Sequence, residues 1–461
     1  MTNGVPHPPG YPFYTALLRL WLSAGQLLSP PIDIAWLGNV LSATCAALSV
    51  GVTLLAAGDL LYDQSRRWMW ATCSALAWGF GPLLWGQALI TEVYALHGLL
   101  FALLGWLTLG SRRRRWMIAP VVGLGLAHHP TFALLLPASF YYLLSARRPN
   151  QRIWRIAMLY GFGLLIAVLL QARTWLAASA VPTPPVNWGY ADTGAGLWWL
   201  LSGAAYRQYL FAVPPANIVE RLAAWAYTIT VQLTPVGLAF ALIGLADVDR
   251  RRHRLRNFTL IWIIPVSIYA MTYYTWDSAV YLLPVVWIAC LLLGLGLEVS
   301  AAWLSTHWPT APINLSAWLL VGTLVGVVAL AAIRAPTVSL RADREAAQFV
   351  ADARRQIEPG SIVISRADRE TFGLWFAFWA NEGLHPQAPN DTVLVNDALY
   401  QFAWYRRLLA AVYPDLPGID ESVEALVEEN RATRTIFFTE PLEWIPAAAL
   451  EADGPLWRLS K

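Results

Sequence analysis

The sequence predicts a polytopic α-helical membrane protein that carries a small α/β domain at its C-terminal end. Three observations predict it. Residues of the AVILMFWYC set make up 57% of the 461 residues and charged residues only 13%, against roughly 25% charged in globular chains. Ten apolar stretches follow one another, most of them long enough to cross a bilayer. From about residue 337 the pattern changes to charged amphipathic helices alternating with short apolar strands.

The elements follow in order. "HPPGYPFYTALLRLW", residues 7 to 21, opens the chain with a turn in which Pro8, Pro9 and Pro12 limit the backbone donors. Residues 11 to 28 read as an amphipathic helix lying in the outer membrane interface. A crossing there would invert every later loop, and Arg19 interrupts the run. The expected spans are about 34–58, 68–86, 92–110, 116–128, 130–145, 154–177, 222–246, 257–275, 279–299 and 315–334. The fourth and fifth read as half-length helices meeting at "AHHPT", with one kinked span as the alternative. The expected domains are residues 1–33 (outer turn and interfacial helix), 34–336 (membrane helices) and 337–461 (soluble α/β domain).

Arginine sets the orientation, because cytoplasmic loops collect basic residues. Arg66 and Arg67, Arg112 to Arg115, Arg147, Arg148, Arg152 and Arg155, and Arg250, Arg251, Arg252, Arg254 and Arg256 fall in loops on one side; the short loops opposite hold only Arg207 and Arg221. An even number of crossings between the second and third of these clusters favours the two short helices, and places the C-terminal domain outside. There "SIVIS", "TVLVN" and "TIFFT" read as strands of a parallel sheet, separated by helices.

Other classes are excluded. Cys45, Cys73 and Cys290 sit in apolar segments with neither zinc spacing nor a disulfide framework. Residues 1 to 10 do not read as a signal peptide. No nucleophile elbow or phosphate loop occurs, and adjacent histidines do not make a metalloprotease helix. The basic residues lie in short cytoplasmic loops, which excludes nucleic acid, and no metal or other cofactor is called for. The 25 tryptophans and 18 tyrosines suit the two edges of a bilayer.

Polar groups at the mouth of a helix bundle are costly and therefore functional suspects. The topology gathers them on the outer side: His7 in the opening turn, Glu92 before the third span, His128 and His129 at the tip of the short pair, Arg173 near the end of the sixth span, "PPVNWGYADT" in the long outer loop, and Asp277 with Tyr281 between the eighth and ninth spans. Each has a plainer reading. Glu92 suits a helix first turn, Asp277 a cap, Arg173 snorkelling to lipid phosphate, and "NWG" an interface anchor.

The pieces "HPPGYPFYTALLRL", "QALITEVYALH", "GLAHHPT", "ARTWLAASAVPTPPVNWG", "YTWDSAVYLLPVVWIA" and "NDALYQFAWYRR" stand in an order that resembles the protein O-mannosyltransferase-like family of bacterial multi-spanning proteins, from residue 7 to about 410. The resemblance implies a GT-C fold in a bacterial inner membrane, with the C-terminal domain extracytoplasmic. It implies a polyprenyl-phosphate-linked sugar (mannose, by the family's name) as donor, and a protein, lipid or glycan hydroxyl as acceptor, with inversion at the anomeric carbon. Glu92, His128 and His129 are then the catalytic candidates. His7, Pro9, Gly10, Tyr11, Arg173, Asn187, Trp188, Asp277 and Tyr281 are the substrate-binding ones. The chain departs from the family pattern in two ways. Only "MTNGVP" precedes the turn, where a first helix and an acidic outer loop are usual, and Tyr190 replaces an acidic residue after "NWG", with Asp192 two positions on. The chain is therefore expected to be either such an enzyme or an inactive or truncated subunit that binds the lipid-linked sugar or the acceptor; a transporter ranks last, because the polar groups gather at the edge and not at mid-membrane.

Overall fold

The computed structural model describes residues 4–28, 33–146, 153–309, 313–380 and 391–460; Arg147, Arg148 and Arg152 lie outside the described residues. The helices up to the soluble part are α1 (Pro12–Leu28), α2 (Ile34–Leu60), α3 (Arg67–Gly79), α4 (Pro82–Ala88), α5 (Tyr94–Leu109), α6 (Ile118–His128), α7 (Leu136–Ser145), α8 (Ile153–Ala178), α9 (Gly194–Leu201), α10 (Ile218–Arg251), α11 (His253–Thr272), α12 (Leu283–His307) and α13 (Leu315–Val338). Then come α14 (Glu345–Gln356), β1 (Ile362–Ser365), α15 (Asp368–Trp379), β2 (Val393–Asn396), α16 (Ala403–Val412), α17 (Val423–Asn430), β3 (Ile436–Phe438), β4 (Leu450–Asp453) and β5 (Leu456–Leu459). The chain divides into two compact units: a helical unit of Tyr11–Gln171 and Tyr206–Ser339, and a composite unit of Met1–Gly10, Ala172–Ala205 and Leu340–Lys461.

Among the described residues six helices are long and apolar enough to cross a membrane: α2, α8, α11, α13, and α10 and α12 taken with the 3₁₀ turns before them. The helix α2 starts where the carboxylate of Asp33 accepts the N–H groups of Ala35 at 2.7 Å and Trp36 at 3.3 Å. The axis of the helical unit is α12, whose most apolar stretch is 94% buried, whereas the corresponding stretch of α13 is 6% buried. Small residues bring α10 onto this axis. A Cβ on Gly296 would collide with the carbonyl oxygen of Phe240, and one on Gly244 with that of Leu292, so the two backbones pass in contact. Buried indoles find partners for their N–H: Trp78 donates to Ser49 Oγ at 2.7 Å, Trp287 to Thr53 Oγ1 at 2.9 Å and Trp262 to the Pro284 carbonyl at 3.0 Å.

The stretch expected as the second span is broken into α3 and α4. Pro82 pushes Gly81 into an extended conformation and ends α3. Two side chains from elsewhere in this unit repair the break. Gln232 Oε1 accepts the Leu83 N–H at 2.9 Å, and Arg334 donates to the Phe80 carbonyl at 3.1 Å. The helix α10 is itself broken one turn further on, at Thr234 (φ 64°) before Pro235; Arg334 also reaches the carbonyl of Val231, and Thr234 Oγ1 accepts the Gly237 N–H at 3.3 Å. At the stretch expected as the fourth and fifth spans, α6 and α7 are joined by a 3₁₀ turn over Pro130–Leu135.

In the composite unit the strands lie in the order β2-β1-β3-β5-β4. The three strands legible in the sequence form the parallel part, in the register Ile362 to Val393 and Ile362 to Ile436. A C-terminal hairpin, β4 with β5, continues the sheet antiparallel beside β3. Gly296→Val should weaken the α10–α12 crossing by about 1–3 kcal/mol and lower the melting temperature of the detergent-solubilised protein. Gly51→Ala, where a Cβ meets no atom within 4 Å, should not lower it.

Candidate active site

The candidate residues of the helical unit converge where α5 begins. Before it the chain turns through "TEV", and Glu92 Oε2 accepts the N–H of Val93 at 2.6 Å. That fixes one carboxylate oxygen; Oε1 has no protein partner among the described residues, and the side chain is half-buried. The carbonyl of Val93 is a node. It accepts the His97 N–H at 3.0 Å and lies 2.9 Å from His128 Nε2. A carbonyl can only accept, so the neutral ring of His128 carries its proton on Nε2. Its Nδ1 is buried without a partner.

His129 follows in an extended conformation (φ −149°) and caps the 3₁₀ turn. Its Nδ1 accepts the Thr131 N–H at 3.2 Å and lies 2.7 Å from Thr131 Oγ1. With that lone pair taken by a backbone donor, the neutral ring carries its proton on Nε2. His97 completes a trio, its ring stacked on that of His128 at 5.8 Å and 5.2 Å from that of His129. Among the described residues these groups form no cluster arranged to hold a metal ion.

Tyrosines enclose the trio. Tyr11 lies 5.9 Å from the His129 ring and Tyr14 6.1 Å from the His128 ring. Tyr94 and Tyr281 lie 5.8 and 6.0 Å from His129, with their hydroxyls 3.5 Å apart. Tyr269 and Tyr273 pack on Tyr281 at 5.0 and 5.5 Å. Asp277 is exposed, and its side chain caps no helix.

Other candidates fall in the composite unit. Val5 pairs with the "NWG" segment in parallel: its N–H donates to Val186 at 2.9 Å, and its carbonyl accepts the Trp188 N–H at 3.0 Å. The His7 ring meets Trp188 edge-on at 6.1 Å. The turn closes with the Gly10 N–H on the His7 carbonyl at 2.9 Å. Gly10 has φ +86°, and a Cβ there would press on Leu200 at 2.9 Å, so this position needs glycine. Pro9 follows a cis peptide bond. Asn187 Nδ2 donates to the Ala178 carbonyl at the end of α8, and Arg173 lies half-buried on the same helix. Trp188 packs at 5.7 Å on Trp404 of α16, which also meets Trp199 at 5.2 Å. Asp192 is bound to Arg407 at 2.8 Å, and the Arg407 guanidinium lies 4.1 Å over the Tyr190 ring.

The sequence-predicted residues thus form two groups. Glu92, His128, His129, Tyr11, Tyr281 and Asp277 belong to the helical unit, and His7, Pro9, Gly10, Asn187, Trp188 and Arg173 to the composite one. Sequence reasoning passed over His97, Thr131, Tyr14 and Tyr94. The available signal was the spacing Tyr94–His97–Phe101, one face of α5. It also treated Arg221 as a loop charge, whereas its guanidinium donates to the carbonyls of Ala270, Met271 and Tyr273 at the end of α11.

Residues 1–152 match the family described as the protein O-mannosyl-transferase TMEM260 N-terminal domain. The expected resemblance is borne out. The protein O-mannosyl-transferase tmem260 of Dictyostelium discoideum is 22% identical over 275 residues, a match covering 53% of this chain and 32% of that protein, about a third of its length. Two crystal structures of ArnT from Cupriavidus metallidurans, one bound to undecaprenyl phosphate and one in the apo state, superpose with TM-scores of 0.51 and 0.52. They cover 98% and 99% of this chain and 87% of theirs at 14% identity. The chain therefore has an ArnT-like fold, with six helices among the described residues long and apolar enough to cross a membrane.

In the composite unit, Arg407→Ala removes a half-exposed ion pair together with a cation–π contact, worth about 0.5–1 kcal/mol. Faster amide hydrogen exchange over residues 186–192, with exchange at α12 unchanged, is the expected outcome.

Proposed function

We propose that this chain is a GT-C glycosyltransferase, or the membrane part of one, which moves a sugar from a polyprenyl phosphate to an acceptor hydroxyl on the outer face of a bacterial inner membrane. The observation that carries the reading is the basin at the start of α5, where one half-tethered carboxylate, three histidines and a ring of tyrosines meet inside an ArnT-like fold. The ArnT structure with undecaprenyl phosphate supports a polyprenyl-phosphate donor, and the TMEM260 match supports mannose as the sugar.

In this reading the acceptor oxygen attacks the anomeric carbon while Glu92 Oε1 takes its proton. The bond from that carbon to the phosphate oxygen breaks, and the electron pair leaves with the polyprenyl phosphate. Attack from the face opposite the leaving group inverts the configuration. The carboxylate is the base because the histidines are committed otherwise. His129 Nδ1 receives the Thr131 N–H, so its ring serves as a hydrogen-bond donor from Nε2. His128 is a positioning residue: through the Val93 carbonyl it holds the turn that carries Glu92. The His129 Nε2–H and the Tyr94 and Tyr281 hydroxyls are donors suited to the phosphate as charge develops on it. We assign the acceptor to the composite unit, beside its cluster of Trp188, Trp199 and Trp404.

Membranes containing the chain, given polyprenyl-phosphate mannose labelled in the sugar, test this. Glu92→Gln should lower transfer by about 10²–10⁴-fold, the usual contribution of a general base, with donor binding retained. His129→Gln, which keeps an N–H donor, should keep more activity than His129→Ala. Transfer by Glu92→Gln at the wild-type rate would remove Glu92 as the base. Donor binding without transfer, even by the unsubstituted chain, would favour a binding subunit.

A further inference from the structure

Away from that basin the helical unit carries a second feature. An apolar groove of about 610 Å³ runs between α13 and the helices α3, α10 and α12, lined among others by Phe240, Leu293, Leu297, Leu330 and Val327. It exists because α13 packs loosely and because Gly322 and Gly326 lie on its groove side, where a Cβ on either would meet no atom within 4 Å. Its one charged lining residue is Arg334. An arginine near the end of a spanning helix ordinarily extends toward the interface. This one turns inward to the broken ends of α3 and α10, where it meets only carbonyl oxygens, and among the described residues no carboxylate pairs with it. A cation without a counter-charge at the head of an apolar groove open to the bilayer fits an amphiphile with an anionic head and a single chain in the groove.

We propose that this groove seats one acyl chain of a phospholipid, with the lipid phosphate against Arg334. The dimensions suit one chain that stays within the hydrocarbon core. The lining runs along α13 from Arg334 past Gly326 and Gly322 to Trp318, about 24 Å at 1.5 Å per residue, inside a core of about 30 Å. The bound chain supplies the packing that α13 lacks, and the phosphate supplies the missing charge.

The test is native mass spectrometry of the full chain, stripped of lipid in detergent and titrated with phosphatidylglycerol. The unsubstituted chain should retain one phosphatidylglycerol under activation that removes all others. Gly326→Leu, which fills the groove from a position with room for the side chain, should reduce that occupancy roughly tenfold. Arg334→Gln should weaken it about tenfold, the loss of one charge-assisted hydrogen bond. Gly51→Leu, an equally open glycine on α2 outside the groove, should leave it unchanged. If Arg334→Gln fails to fold because its carbonyl bonds are lost, Gly326→Leu still decides. Equal retention by Gly326→Leu and the unsubstituted chain overturns the proposal, and so does a tightly held lipid displaced by undecaprenyl phosphate and not by phosphatidylglycerol.

Discussion

Inside an apolar bundle, a helix that breaks must find partners for its freed N–H and C=O groups within the protein, because lipid offers none. That constraint organises the helical unit. At the α3–α4 break the partners are Gln232 and Arg334, at Thr234 they are Arg334 and the threonine's own hydroxyl, and at the end of α11 the partner is Arg221. At the start of α5 it is the Glu92 carboxylate, on the Val93 N–H. Long polar side chains that would be expensive in a membrane are thus spent on backbone.

The same accounting separates the polar groups with chemistry to offer from those without. His128 is fully buried and bound to a carbonyl, Asp192 is held by Arg407, and Asn187 ends α8. Glu92 is different, with one oxygen tied to its own turn and the other without a protein partner. A carboxylate oriented by a single backbone N–H keeps its geometry and still offers a lone pair. The proposed role of proton acceptor needs both properties.

Much of this was legible in the sequence. Length and hydropathy located the long helices, and the strands at Ile362, Val393 and Ile436 followed from short apolar runs between amphipathic helices. Glu92, the histidine pair and Tyr281 were singled out because polar groups are costly in an apolar setting, and the fold brings them together. The breaks were not read, although Pro82 and Pro235 stand inside apolar runs. Prolines are common in membrane helices, and whether one bends or breaks its helix depends on which distant side chain can satisfy the freed groups. His97 was missed for a related reason. It lies on α5 among leucines, and only the stacking on His128 distinguishes it from a core residue. Nothing in the local sequence showed that Val5 and Trp188 are strand partners, because that pairing is set by tertiary structure.

The composite unit has a consequence for biosynthesis. Its Val5 segment is made ahead of α1 to α8, its tryptophan loop follows α8, and its sheet follows α13, with α10 to α13 emerging between the loop and the sheet. Val5 can pair with the loop early, but Trp188 waits for Trp404 and Asp192 for Arg407 until α16 has left the ribosome. Non-local contacts of this kind close slowly. The tryptophan cluster is therefore incomplete while α10 to α13 are made, an interval in which its apolar side chains lack their native partners.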